Sequence, residues 1–213
     1  MDKEELKQKN NQKLEEATDK MKEITNENPE HFKTKRLGSS MGNYATQLER
    51  DVKGHRRRNP VFKHGTLVYV DFGINYGSEF SSYHYAITLT KNDTKSNNTI
   101  TVVPLTSKIG KQNIKINHSI SVGLAAFTLS YRGDYLELNA NKKIVANIKT
   151  RLDKYIKDLD KDTYIKIDAI TTIDKNKIFK PKDDLDPLTR VRVSDEVLEL
   201  IKEGIKNLFF KSN

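Results

Sequence analysis

The chain has 213 residues, of which 35% are hydrophobic and 31% charged, a length suited to one ordinary domain or one domain with an extension. Its formal net charge of +9 favours a polyanionic partner, and the absence of cysteine excludes disulfides, thiol catalysis and thiolate metal sites. No apolar run approaches the ~20 residues that a membrane span needs, and no signal-like apolar region opens the sequence, so a cytoplasmic protein without a membrane partner is expected.

Residues 1–59 read as a polar, partly helical N-terminal extension. Leu14, Ala17, Met21 and Ile24 fall at helical spacing and predict one narrow apolar stripe, with Pro29 ending the pattern. Gly38-Ser39-Ser40 and Gly42-Asn43 read as loop, and Arg56-Arg57-Arg58 beside His55 mark the entry to the next domain. This extension can serve as a mobile arm, a dimerisation helix or a cover for the groove of the following domain.

Residues 60–213 read as the principal domain. Residues 66–72 are rich in β-formers, and residues 83–90 alternate Tyr83, Tyr85, Ile87 and Leu89 against His84, Ala86, Thr88 and Thr90. His84 is therefore expected on the face opposite Tyr85 and Ile87, within reach of a substrate. The polar connector KNDTKSNN makes residues 83–90 and 99–105 a hairpin, and residues 113–120 and 163–173 offer two further strands. Ile144, Val145, Ile148, Leu152, Tyr155, Ile156 and Leu159 recur at helical spacing, which predicts a helical insertion near 121–160. A last helix is expected over 194–210, with Ser194 as N-cap and Val197, Leu198, Ile201, Ile205, Leu208 and Phe209 on one face.

Side chains suited to phosphodiester chemistry gather on two strands and their loops. The central part of the chain carries few charges, its only acids being Asp71, Glu79 and Asp93, so a phosphate backbone meets little repulsion there. Metal-free RNA cleavage needs a base for the 2′-hydroxyl, an acid for the leaving 5′-oxygen and donors to the charged phosphorane. His84, with an unperturbed pKa near ~6.5, suits the proton transfer. Glu79 can be the second proton-transfer group or orient His84. Thr106, Ser107 and Ser78 offer hydroxyls, and Lys108 adds positive charge. Tyr76, Phe80 and Tyr83 flank the Gly77-Ser78-Glu79 loop and can stack on splayed bases, whereas Phe72 and Tyr85 read as core. The plainer readings are a structural His84, a strand end at Thr106, a turn cap at Glu79 and a solvated Lys108. His118 shares its alternation with Ile114, Ile116 and Ile120 and reads as packing. His31, His55 and His64 show no ligand spacing, so neither a metal nor a cofactor is expected.

Three blocks together resemble the PemK/MazF family of toxin endoribonucleases. They are the Gly-opened strand and Gly-Ser-Glu loop of residues 65–79, the strand from Ala86 leading to Val102-Val103-Pro104-Leu105-Thr106-Ser107, and IDAITTIDKNK at 167–177 with its Asp174-Lys175 pair. With the last helix they cover about half of the chain. The resemblance implies an α+β fold built on an SH3-like small β-barrel, similar also to CcdB, with a C-terminal helix. It further implies a homodimer that cuts single-stranded RNA without metal and is restrained by a cognate antitoxin. The family's catalytic Thr falls on Thr106. Its Arg position is held by His84 and the following Pro position by Tyr85, a departure that moves the expected role from clamp to proton transfer. A nucleic-acid- or protein-binding module on the same barrel, or a toxin with a protein target, is the alternative.

Overall fold

The computed structural model describes residues 2–54, 59–116, 162–182 and 186–210, with isolated positions between 120 and 157. The chain divides into two units, Met1–Arg56 and Arg57–Asn213. The architecture is α+β, with three helices and a six-stranded antiparallel sheet among the described residues. No helix among them is long and apolar enough to cross a membrane.

In the first unit, α1 (Lys3–Glu27) begins at a capping box: Asp2 accepts from the amides of Glu4 and Glu5, and Glu5 accepts from the Asp2 amide. These bonds use two donors that a helix start leaves open, and the acids of the first turn complement the helix dipole. The helix ends at Asn28, before Pro29. The loop expected around Gly38 and Gly42 is instead the body of α2 (Thr34–Val52). Each glycine costs a helix about 1 kcal/mol relative to alanine. Here Leu37, Met41, Tyr44 and Leu48 keep an unbroken helical period through both glycines. Arg56-Arg57-Arg58 and His55 lie outside the described residues.

The second unit starts from the expected hairpin. Strands β1 (Leu67–Asp71), β2 (Tyr83–Thr88) and β3 (Thr99–Thr106) pair antiparallel in chain order. β4 (Ile114–Lys115), β5 (Tyr164–Ile165) and β6 (Thr171–Asp174) complete the sheet, in the path β1-β2-β3-β5-β4 with β6 added on β3. The single strand expected over 163–173 is broken. β5 pairs with the end of β3 and β6 with its start, and the two ladders are out of step by three residues. The 3-10 turn Ile167–Ala169 takes up that offset. Strand β4 is shorter than expected, and His118 and nearly all of the helical stretch expected near 121–160 lie outside the described residues.

Both faces of the sheet are buried. Leu67, Ile87, Val103 and Leu105 enter one core with Ile165, Ile167, Val191, Val193, Val197 and Ile201, the last two from α3 (Asp195–Phe209). Val68, Val70, Ala86, Ile100 and Val102, their neighbours in sequence, enter a second core with Phe62, Phe72, Ile173 and Ile178. Strict alternation thus supplies two cores from three strands. Ser194 occupies the N-cap position of α3, but its hydroxyl meets the Glu196 carboxylate at 3.3 Å and makes no cap bond.

The close seating of α3 depends on Gly65. Its φ of +79° is a conformation that L side chains resist, and an added Cβ meets Leu198 carbons at 3.2 and 3.3 Å. Gly65 also gives its amide to the Thr88 carbonyl at 2.8 Å and takes the Val193 amide at 3.0 Å. Gly65→Ala is therefore expected to cost about 1–3 kcal/mol through strain and overpacking. Urea denaturation checks this as a lower midpoint at unchanged slope.

Candidate functional site

Residues 72–82 form a closed loop between β1 and β2. At its base the Phe72 amide donates to the Ser82 carbonyl at 2.9 Å and the Ser82 amide to the Gly73 carbonyl at 2.7 Å. Gly73 and Ser82 both take positive φ there, 76° and 80°. The loop is filled by Asn75, whose side-chain amide donates to the carbonyls of Phe72 at 3.2 Å and Phe80 at 2.7 Å, while its own amide meets Ser81 Oγ at 3.1 Å. Sequence reasoning placed Asn75 in the loop without seeing this organising role. An Asn flanked by glycines and serines, four residues after the end of an apolar strand, is the available signal.

This framework lifts Tyr76, Gly77, Ser78 and Glu79 into solvent. Tyr76 is 89% exposed, so its ring is presented outward. The Glu79 amide donates to the Tyr76 carbonyl at 2.9 Å, and among the described residues its carboxylate makes no hydrogen bond or ion pair. Ser78 is likewise exposed at the tip.

His84 sits opposite Val70 on β2, on the face expected for it. That face is the second core. The half-buried imidazole lies 4.3 Å from the Phe80 ring and 6.5 Å from Phe72, and Phe72 and Phe80 meet edge to face at 5.2 Å. Phe80, expected to stack on bases, is thus committed to packing with Phe72 and His84.

Thr106 ends β3. The β2–β3 ladder ends at the Ala86–Pro104 pair, with His84 two residues before Ala86 and Thr106 two residues after Pro104. Pro104 has no N–H to give, and its carbonyl accepts from the Lys166 amide at 2.9 Å. The strand therefore passes from β2 to β5, where Thr106 pairs with Tyr164. The Thr106 hydroxyl oxygen accepts from the Lys108 amide at 3.2 Å, which leaves its proton for another acceptor. Ser107 and Lys108 are exposed, and Asn113 steadies their turn by donating to the Lys108 carbonyl at 3.0 Å.

Tyr83 points to the opposite side of β2 from His84. Its ring lies 5.4 Å from Phe179 and 6.3 Å from Tyr69, and Tyr69 lies 4.9 Å from Tyr85 and 5.2 Å from Phe179. The Phe179 amide donates to the Tyr69 carbonyl at 2.9 Å, so a row of rings crosses three adjacent chain segments. Tyr69 and Phe179 were not singled out from sequence, because they are brought beside Tyr83 by pairing across strands and not by local spacing. The candidate residues fall into two groups on opposite sides of β2: His84 on one, Tyr83 on the other. No family model matches this chain, and no curated protein matches it. Among the described residues, no three His, Asp or Glu side chains converge as metal ligands.

Proposed function

We propose that this chain is a metal-independent endoribonuclease of the PemK/MazF type, built on an SH3-like barrel and acting on single-stranded RNA in the cytoplasm. The observation that supports this reading is the antiparallel pairing of β2 with β3: His84 lies two residues before the Ala86–Pro104 pair on one strand and Thr106 two residues after it on the other, next to the exposed Ser107-Lys108 turn. In the reaction, the 2′-hydroxyl oxygen attacks the adjacent phosphorus and the bond to the 5′-oxygen breaks. A base takes the 2′ proton and an acid protonates the leaving oxygen. His84 carries one of these transfers and Glu79 offers the other. Thr106 and Ser107 donate to the phosphorane, Lys108 adds charge, and Tyr76 stacks on a base beside the cut. A homodimer and a restraining antitoxin belong to the same reading.

A second reading, a binding module without cleavage, is favoured by the His84 ring packed at 4.3 Å on Phe80, where it fills space as a core side chain does. Purified protein incubated with a long single-stranded RNA in EDTA separates the two. Cleavage is expected to yield fragments ending in 2′,3′-cyclic phosphate, and Thr106→Val is expected to slow it ~10²–10³-fold. RNA that is bound but left intact, by wild type and variant alike, selects the binding module.

A further inference from the structure

The loop between β1 and β2 is tied together by one residue that takes no part in the proton transfers themselves. The side-chain amide of Asn75 has two protons, and each goes to a different rim of the loop: the Phe72 carbonyl at 3.2 Å and the Phe80 carbonyl at 2.7 Å. Phe72 and Phe80 meet edge to face at 5.2 Å, and the Phe80 ring lies 4.3 Å from His84. Asn75 thus reaches the imidazole through a single intervening ring.

The main-chain amide of the same residue makes a second link. It donates to Ser81 Oγ at 3.1 Å, and that hydroxyl gives its own proton to the Glu79 carbonyl at 3.0 Å. One residue therefore fixes two branches, through Phe80 to His84 and through Ser81 to Glu79. These are the two groups that carry proton transfer in the endoribonuclease reading.

The attachment of the loop to the sheet does not need this side chain. Its base is closed by main-chain bonds alone, Phe72 to Ser82 at 2.9 Å and Ser82 to Gly73 at 2.7 Å. Ser82 is held there at a φ of 80°, a strained conformation for an L residue that persists only where its surroundings over-determine it. Asn75, Phe80 and Ser81 are half-buried, so water can reach the carbonyls if the amide is removed. The fold then survives while the placement of the loop is lost. Aspartate has the shape of asparagine but sets a carboxylate against two carbonyls, so shape and donors can be separated.

We propose that Asn75 is a positioning residue that sets His84 and Glu79 for proton transfer, a role that rests on the endoribonuclease reading. A misplacement of about 1 Å can cost ~10²-fold in rate. Asn75→Ala and Asn75→Asp are accordingly both expected to slow single-turnover cleavage ~10–10²-fold while keeping a cooperative thermal melt. A second readout follows the ring itself. The carbon-bound protons of His84 lie in the ring current of Phe80, and their NMR signals are identified by their loss in His84→Phe. Both Asn75 variants are expected to move these signals toward the position of a free histidine. Ser81→Ala cuts only the branch to Glu79, so it is expected to slow cleavage and leave the His84 signals in place. Wild-type cleavage by either Asn75 variant, or His84 signals unmoved in both, overturns this role alone. RNA left intact by the wild-type protein overturns the endoribonuclease reading and this role with it.

Discussion

His84→Phe is expected to keep the folded state and to cut RNA ~10²–10⁴-fold more slowly than wild type, the loss typical of a removed proton-transfer group. Phenylalanine retains a flat ring against Phe80 and Phe72, so the packing seen at 4.3 and 6.5 Å is kept while proton transfer is lost. His84→Ala loses both and confounds them, since each aromatic contact contributes about 0.5–1.5 kcal/mol beyond its burial. The comparison is single-turnover cleavage in EDTA beside a thermal melt. Wild-type cleavage by His84→Phe would mean that the ring is a packing element and that the acid and base lie elsewhere. Slow cleavage with an unchanged melt would assign the histidine to the reaction.

The hairpin at the centre of this argument was legible in the sequence because its information is local. Alternating β-formers on either side of KNDTKSNN specify two strands and a turn, and the same alternation placed His84 opposite Tyr85 and Ile87. What the alternation could not tell is whether that opposite face meets solvent. It meets Phe72 and Phe80, and their arrival depends on the closure of residues 72–82 by Asn75. Residues 163–173 failed for a related reason: the run has strand composition, but two ladders offset by three residues force a turn at Ile167–Ala169. In α2 the error ran the other way. Two glycines were read as punctuation, while Leu37, Met41, Tyr44 and Leu48 carried the helical period past them. The Tyr69–Tyr83–Tyr85–Phe179 row joins residues more than a hundred positions apart, and only the paired strands bring them together.

Lys175→Met is expected to destabilise the second unit by about 3–5 kcal/mol, the cost of leaving a buried charge uncompensated. For a unit of this size that is a fall of roughly 6–20 °C in Tm. In sequence Lys175 is one of the adjacent Asp174-Lys175 pair, with nothing local to mark it as buried. In the fold it is buried and its ammonium is saturated: Asp93 Oδ1 at 2.7 Å, the Pro60 carbonyl at 2.9 Å and the Thr94 carbonyl at 3.0 Å. Both side chains of the pair are fully buried, and the other carboxylate oxygen of Asp93 accepts the Phe62 amide at 2.9 Å. One ion pair therefore stitches three distant segments: the entry to the domain, the β2–β3 connector and the end of β6. Methionine fills similar volume but leaves the Asp93 charge and two carbonyls without their donor. Asp93→Asn keeps an acceptor for Phe62 and leaves the ammonium without its counter-charge. The double variant Asp93→Leu/Lys175→Met buries no charge, so it is expected to cost less than the sum of the single changes, with a coupling of about 1–3 kcal/mol in a double-mutant cycle. Strict additivity, or a single-variant loss below ~1 kcal/mol, would show that the pair does not hold these segments. In that case the β2–β3 connector would owe its position to the second core alone, through Phe62, Ile100 and Ile173.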